Sequence, residues 1–288
     1  MTTSTDWVFE APMAHRETTV SAPLISHTET SPPEQTLYAR IPLGGESPAR
    51  PLTGIFIPSG YRVRGPVDLI LYLQGHRTQP DAAWFRALTI DKYWNSARFP
   101  RWALREATNA SRKNVVLVAP TMGVRSQATQ FSKPGGLDAY LERVMAVLST
   151  NGQFRKLGTP PEVGSIILAC HSGGGARMLE LVTVGNKLAS RVRECWAFDS
   201  LYGAGIESAW SNWARRHPAA KLYVHYGSGG TAGHSTRLAD MAACKAITTP
   251  CKRLANVFVE GRTSLLHNNV PIEHWTKRLR MAGWLGEK

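Results

Sequence analysis

The sequence lacks the features that mark membrane-spanning and secreted proteins. No stretch approaches the roughly 20 apolar residues that a membrane span needs. Residues 1–7 lack the basic start and the apolar core of a signal peptide. A mature chain written without its signal would begin in the same way, so the cytoplasm is a default expectation and no more.

Cysteine is scarce, because the four cysteines of the chain are too few for a scaffold held together by disulfides. No C-x-x-C pair indicates zinc, and we expect no metal site. Cys170 and Cys195 lie in apolar runs and are predicted to be buried. Cys244 and Cys251 are seven residues apart, a spacing that could close a disulfide. The redox compartment therefore stays open.

Acidic residues are outnumbered: 21 Asp and Glu stand against 34 Lys and Arg, a formal net charge of +13. Such a charge favours anionic surfaces, acidic substrates or nucleic acid. The basic residues are dispersed, however, and no recognisable nucleic-acid-binding module accompanies them. We therefore expect a solubilising surface without a specific nucleic-acid partner. A catalytically silent protein that binds a polyanion stays open as an alternative.

The chain does contain 43% hydrophobic residues, which is ample for one sizeable core. Thr, Ser, Pro and Glu dominate residues 1–35, and we expect a partly irregular N-terminal extension there. From residue 36 to residue 288, strand-like and helix-like segments alternate and no internal repeat is visible. This alternation predicts a single doubly wound α/β domain.

The predicted strands define the topology. Residues 36–42 and 53–57 are separated by turn residues, which indicates an antiparallel pair. Helices between the later strands imply right-handed crossovers, hence a mainly parallel sheet with an antiparallel N-terminal edge. The later strands are predicted at 67–73, 114–120, 165–171, 195–198, 221–227 and 256–261. Helices are predicted within 81–112, at 137–148, after Ser172, at 208–216, at 236–246 and from Pro271.

The most informative segment is S-I-I-L-A-C-H-S-G-G-G-A, residues 165–176. Its apolar run suits a strand buried on both faces, and it ends in a turn of small residues around Ser172. A serine at the tip of such a strand-to-helix turn takes a strained conformation that lifts its hydroxyl clear of the sheet, beside a helix N-terminus. We therefore predict that Ser172 is a nucleophile. A glycine-rich turn with a chance serine is the alternative.

A serine hydroxyl needs a base within hydrogen-bond reach and a carboxylate that orients this base. In open α/β sheets the reacting groups gather beyond the carboxyl ends of the strands. Asp199 directly follows the run C-W-A-F and is the predicted acid, with Glu260 as the fallback. His267 lies in the loop between the last strand and the last helix and is the predicted base.

Three other histidines are given lesser roles. His274 falls inside the predicted C-terminal helix, as a surface or packing residue, and His234 could line the site. His171 precedes the serine and is expected to point away from the reaction, where it would support the turn by packing or hydrogen bonding.

The tetrahedral intermediate of acyl transfer needs two aligned N–H donors. Gly173, directly after the serine, is predicted to supply one. The strand at 67–73 ends in Q-G-H-R, where the glycine permits a sharp turn, and the backbone N–H of His76 is the second candidate. Four further residues are candidates for the substrate pocket, the first as a partner for a substrate carboxylate: Arg77, Trp84, Phe131 and Tyr202.

From about residue 36 to the C-terminus, this order of Ser, Asp and His resembles the α/β-hydrolase superfamily. C-H-S-G-G is similar to the G-H-S-x-G turn of lipases and esterases, with Cys170 in place of the first glycine. Q-G-H-R resembles the His-Gly oxyanion turn, with Gln74 as the departure. Family members usually carry the acid after the penultimate strand, whereas Asp199 follows the strand before it. The resemblance implies acyl transfer through a covalent acyl-serine, without a cofactor.

The expected function is hydrolysis of a small-molecule carboxylic ester by a Ser-His-Asp triad. An amidase or peptidase with the same triad stays open, because an amide leaving group demands better protonation rather than a different set of residues. The sequence does not indicate the acyl group, the leaving group or the oligomeric state.

Overall fold

The structure is a computed structural model that describes residues 34–43, 52–76, 104–123, 126, 128–245, 253–261 and 264–288. The strands in these ranges are β1 (Gln35–Arg40), β2 (Leu52–Ile57), β3 (Val67–Leu73), β4 (Val116–Pro120), β5 (Val163–His171), β6 (Val192–Phe198), β7 (Lys221–Tyr226) and β8 (Val257–Gly261). They form one sheet with the order β1-β2-β4-β3-β5-β6-β7-β8.

The strand directions follow the predicted pattern. β2 pairs antiparallel with both β1 and β4, and all other neighbouring strands of this sheet are parallel. The mainly parallel, doubly wound sheet with an antiparallel N-terminal edge is therefore confirmed. Because parallel strands point the same way, the carboxyl ends of β3, β5, β6, β7 and β8 meet at one edge of the sheet.

Most helices lie close to their predicted positions. In the described residues they are α1 (Leu104–Ala110), α2 (Gly136–Ser149), α3 (Gly152–Arg155), α4 (Gly174–Thr183), α5 (Ile206–Arg216), α6 (Ala232–Ala242) and α7 (Val270–Met281). α6 begins four residues earlier than predicted, and the short α3 was not predicted. The apolar spacing in α2 places Leu137, Tyr140, Leu141, Val144 and Leu148 on one face, and all five are buried; α7 has a proline in its first turn. None of these helices is long and apolar enough to cross a membrane.

Helices cover both faces of the sheet. One core cluster joins the sheet to α2, α4, α5 and α6, and a second joins the other face to α1 and α7. In the second cluster, Trp196 of β6 meets Trp275 of α7 edge to face, with ring centroids 5.5 Å apart. Strands that are buried on both faces form continuous apolar runs, which is why the central strands were predictable.

β6 begins at Val192 rather than at Cys195, where the apolar run begins in the sequence. Val192 pairs with Ile166 of β5, and Glu194 is buried inside the strand. The Glu194 carboxylate accepts hydrogen bonds of 2.8 Å from the indole N–H groups of Trp196 and Trp284. A charged residue fits in this strand because its oxygens have partners.

The cysteines divide into two kinds. Cys170 and Cys195 are free thiols buried in the core, as predicted. Cys244 is disulfide-bonded, and Cys251 lies outside the described residues.

Candidate active site

Ser172 lies between β5 and α4, at the edge where the parallel strands end. Its φ is +52°, a left-handed conformation that is costly for a residue with a side chain. The Ser172 N–H donates to the carbonyl of Phe198 at 3.2 Å, and the Ser172 carbonyl accepts from the N–H of Gly175 at 3.1 Å. The turn is therefore tied both to the neighbouring strand β6 and to the first turn of α4.

The neighbouring glycines let other loops approach this turn. A Cβ on Gly75 would lie 2.5 Å from the Cβ of Ser172 and 3.2 Å from its Oγ, so the loop after β3 touches the serine directly. A Cβ on Gly175 would overlap the carbonyl oxygen of Ser200, in the loop after β6. Cys170, in contrast, has room for a side chain, and its Sγ donates to Ser200 Oγ at 3.2 Å. The serine is thus enclosed by the ends of β3 and β6.

Asp199 directly follows β6, is completely buried and has a φ of +46°. Its carboxylate accepts from Nδ1 of His267 at 2.6 Å, from the Thr231 hydroxyl and from the backbone N–H of Gly227. Burial by itself raises the pKa of Asp199, but these hydrogen bonds, above all the one from His267, bring the pKa below its usual value. Asp199 is therefore a carboxylate at neutral pH.

His267 begins a 3₁₀ turn (His267–Asn269) between β8 and α7. Because its Nδ1–H is donated to Asp199, the neutral imidazole carries its lone pair on Nε2, as a general base requires. The fallback acid Glu260 contacts Lys277 Nζ instead, at 2.9 and 3.1 Å. The sequence alone does not give the distance from His267 to either carboxylate. In the structure, His267 is hydrogen-bonded to Asp199.

The Gln74–His76 turn lies against the residue after the serine. A Cβ on Gly173 would overlap the His76 imidazole, so this ring lies directly against the backbone of Gly173. Gln74 holds the turn from the other side. Its side-chain amide donates to the backbone carbonyl of Gly123 at 3.0 Å, and its backbone carbonyl accepts from the Ser126 hydroxyl at 2.8 Å. The two predicted oxyanion residues are therefore neighbours.

Of the four pocket candidates, Tyr202 lies at the site. Its side chain is 42% exposed, and its hydroxyl forms a hydrogen bond with Ser172. Partial burial and then the charge of Asp199 raise the pKa of Tyr202, so the phenol keeps its proton at neutral pH. Arg77 and Trp84 lie outside the described residues.

Phe131 was predicted to line the substrate pocket, but the structure places it elsewhere. It lies in a 3₁₀ turn (Thr129–Ser132) between β4 and α2. The Phe131 side chain is fully buried in the core and meets Tyr140 of α2 edge to face, with centroids 5.1 Å apart. Its buried ring contributes to the stability of the fold and is not exposed to a ligand.

Two contacts of the site were missed by sequence reasoning. Thr231, a hydrogen-bond partner of Asp199, lies in the G-S-G-G-T loop after β7, and the adjacency of β6 and β7 is the signal that could have found it. His171 does not point away from the site: its ring centroid is 4.4 Å from that of His267.

The other two histidines contact residues outside the predicted triad. His234 is hydrogen-bonded to Glu207 and Arg237, and His274 is buried in α7 as a packing residue.

Within the described ranges, His225, Glu260 and His274 have ligand atoms within 4.8 Å of one another, close enough to consider a metal. The two imidazoles, however, are stacked 4.0 Å apart at an interplanar angle of 20°. Lone pairs that lie in nearly parallel planes do not converge on one ion. Lys277 also occupies the Glu260 carboxylate. The group is therefore a packed stack rather than a set of convergent ligands.

His225 is buried in this stack. Its Nδ1 lies 3.5 Å from the Glu260 carboxylate, and neither ring nitrogen forms a hydrogen bond within the described residues. Burial, and then the nearby His274, Arg278 and Lys277, lower the pKa of His225 to about 2. In the unfolded chain a histidine takes up its proton near pH 6.5. The folded protein therefore loses stability as the pH falls below about 6.5, because only the unfolded state binds this proton.

Replacement of His225 by phenylalanine should reduce this acid sensitivity. Between about pH 7.5 and about pH 5.5, His225 alone should lower the free energy of unfolding by about 1.4 kcal/mol. Urea titrations of the wild type and of His225→Phe at both values measure the difference, with the exposed His217→Gln as a control that keeps the wild-type behaviour. An equal decline in wild type and His225→Phe would contradict the assignment.

The fold of this chain has counterparts among solved structures. No protein-family model matches the chain, and no curated protein matches it in sequence. A mutant of the feruloyl esterase module from Clostridium thermocellum, complexed with sinapinate, is similar in structure: identity is 12%, 86% of this chain and 88% of that chain are covered, and the TM-score is 0.52. This similarity confirms the α/β-hydrolase fold that the sequence resembled.

Two further solved structures are similar at lower scores. An S-formylglutathione hydrolase from Agrobacterium tumefaciens has 13% identity and a TM-score of 0.48, with 91% of this chain and 99% of that chain covered. An uncharacterised protein from Capnocytophaga ochracea DSM 7271 has 11% identity and a TM-score of 0.48. The comparison covers 86% of this chain, which spans 63% of the length of that one.

Proposed function

We propose that this protein is a serine hydrolase that cleaves carboxylic esters through an acyl-serine intermediate. The observation that carries the proposal is the 2.6 Å hydrogen bond between His267 Nδ1 and the buried Asp199 carboxylate, beside a serine with a φ of +52°. A buried carboxylate that orients a histidine next to a strained serine is the arrangement that activates a hydroxyl nucleophile. The name of the similar feruloyl esterase module agrees with this proposal.

In the acylation step, His267 Nε2 accepts the hydroxyl proton of Ser172 while Oγ forms a bond to the ester carbonyl carbon. The carbonyl electron pair moves onto oxygen and gives a tetrahedral oxyanion. When the oxyanion collapses, the bond to the alcohol oxygen breaks, and the alcohol leaves with the proton from His267. Asp199 stabilises the imidazolium that exists between these two transfers.

Deacylation repeats the same transfers with water. The water gives a proton to His267 and attacks the acyl carbon, and the second tetrahedral intermediate collapses to the carboxylic acid. Ser172 Oγ then recovers its proton from His267. We assign the oxyanion donors to the backbone N–H groups of Gly173 and His76, because the His76 turn lies against Gly173. No cofactor takes part in these steps.

Tyr202 is proposed as a wall of the substrate pocket. Its partly exposed phenol is hydrogen-bonded to Ser172 and stays protonated, so it offers a hydrogen-bond donor beside the reacting atoms. The catalytic domain is proposed to extend over residues 36–288, with residues 1–35 as an extension, and the substrate is proposed to be a small ester.

A fluorophosphonate probe tests the proposal, since it labels only an activated serine. We expect one covalent adduct, located by peptide mass mapping on Ser172, and loss of p-nitrophenyl butyrate hydrolysis in proportion to labelling. A p-nitroanilide with the same acyl group distinguishes an esterase from an amidase. Absence of the adduct, together with strongly salt-dependent binding to heparin, would overturn the proposal in favour of a polyanion-binding protein.

A further inference from the structure

His171, the residue before the proposed nucleophile, contacts the proposed base in two ways. Its Nε2 lies 3.1 Å from the backbone carbonyl oxygen of His267. Its ring centroid is 4.4 Å from that of His267, with an angle of 36° between the ring planes. The His171 side chain is only 4% exposed, whereas the His267 side chain is 35% exposed. A buried imidazole thus supports a much more exposed one.

The hydrogen bond determines which nitrogen of His171 carries the proton. A carbonyl oxygen only accepts, so Nε2 of His171 is the donor, and the neutral ring has its lone pair on Nδ1. The interaction therefore holds the backbone of His267, while Asp199 holds the Nδ1 side of its ring. Each partner restrains a different part of the same residue.

The segment that carries His267 needs such restraint. His267 follows Leu266, which is 68% exposed, and it begins a turn of only three residues. Inside the turn, the N–H of Asn269 donates to the carbonyl of Leu266 at 2.8 Å. A short exposed turn of this kind holds a catalytic side chain only as well as its outside contacts allow.

We propose that His171 is a positioning residue that fixes the backbone and the ring of His267 beside the turn that carries Ser172. This inference rests on the proposed function. His171 and Ser172 are joined by one peptide bond, so the element that carries the nucleophile also grips the base. A displacement of about 1 Å at such a site costs on the order of 100-fold in rate, so the contact acts on the chemical step rather than on substrate binding.

Three replacements separate the two contacts of His171. His171→Ala removes both, and we expect kcat for p-nitrophenyl butyrate to fall roughly 10- to 100-fold while KM changes less than about twofold. His171→Gln keeps an N–H donor at similar reach, and His171→Phe keeps a ring against His267, so each should recover part of the lost kcat. Leu148→Ala, a core truncation in α2, is the control: it should lower the thermal midpoint and leave kcat unchanged.

A spectroscopic measurement makes the inference independent of activity. The proton shared by His267 Nδ1 and Asp199 should give a far-downfield proton resonance, which His171→Ala should broaden or lose while its dispersed spectrum shows an intact fold. If His171→Ala keeps both kcat and this resonance while Ser172→Ala is inactive, the positioning role is wrong and the proposed function stands. If the wild type is neither labelled by fluorophosphonate nor active on esters, the proposed function itself has failed.

Discussion

Replacement of Ser172 by alanine should lower kcat for p-nitrophenyl butyrate by roughly 10⁴- to 10⁶-fold. Only the Oγ atom is lost, and with it the acceptor of the acyl group. The φ of +52° at this position is imposed by the hydrogen bonds of Ser172 to Phe198 and Gly175, which run through the backbone. The turn should therefore keep its shape in the variant, and the loss of rate reports the missing nucleophile.

The control for this variant is Ser190→Ala, which removes an exposed hydroxyl just before the start of β6, at the opposite end of this strand from Asp199. It should keep wild-type kcat and KM. Circular dichroism and thermal midpoints of both variants should match the wild type within a few degrees. If Ser172→Ala retains more than a tenth of the wild-type kcat, then the hydroxyl is not the nucleophile and the acyl-serine mechanism is wrong.

Replacement of Asp199 by asparagine should lower kcat roughly 10⁴-fold. Asparagine has nearly the same shape, but its amide carries no charge to stabilise the imidazolium of His267. Its NH₂ group also competes for Nδ1, which favours the tautomer that has its proton on Nε2, where the base must have a lone pair. The Thr231 and Gly227 donors are arranged for carboxylate oxygens, and they fix the amide less well.

Glu260→Gln is the matched comparison, because it neutralises the other candidate carboxylate, which lies at the end of β8. Glu260 is bound to Lys277, and its replacement should change kcat less than about twofold. Steady-state kinetics on the same ester measure both variants. If Glu260→Gln falls as far as Asp199→Asn, or if Asp199→Asn loses less than tenfold, the acid has been assigned to the wrong residue.

The parts of the fold that could be predicted from the sequence are those where a local pattern of residue types has one main structural explanation. Long apolar runs predicted the central strands. The position directly after one strand predicted Asp199, and the loop between the last strand and the last helix predicted His267; the structure joins the two side chains at 2.6 Å. The start of β6 was missed because Glu194 looks like a surface residue until the indoles of Trp196 and Trp284 are beside it. The contact between Glu194 and Trp284 joins residues 90 positions apart, so no local sequence pattern could have revealed it.

Loop conformations account for the remaining differences. Phe131 was predicted as a pocket wall because its segment is rich in Gly and Pro, yet a short 3₁₀ turn directs the ring into the core against Tyr140. His171 was expected to face away from the reaction and to support the turn, because it directly precedes the serine. The turn that carries His267 folds back over the end of that strand, and this return places the two rings together.

The end of β7 has a consequence for how this chain can change. In the family that the chain resembles, the acid usually follows the penultimate strand, and here Gly227 occupies that point. A Cβ at Gly227 would overlap the carbonyl oxygen of Leu265, just ahead of the turn that carries His267. A single substitution therefore does not move the carboxylate from one strand to the other, since any side chain at Gly227 displaces the base it would serve. Transfer of the proposed acid from the end of β6 to the end of β7 therefore requires that the loop after β8 be rebuilt first.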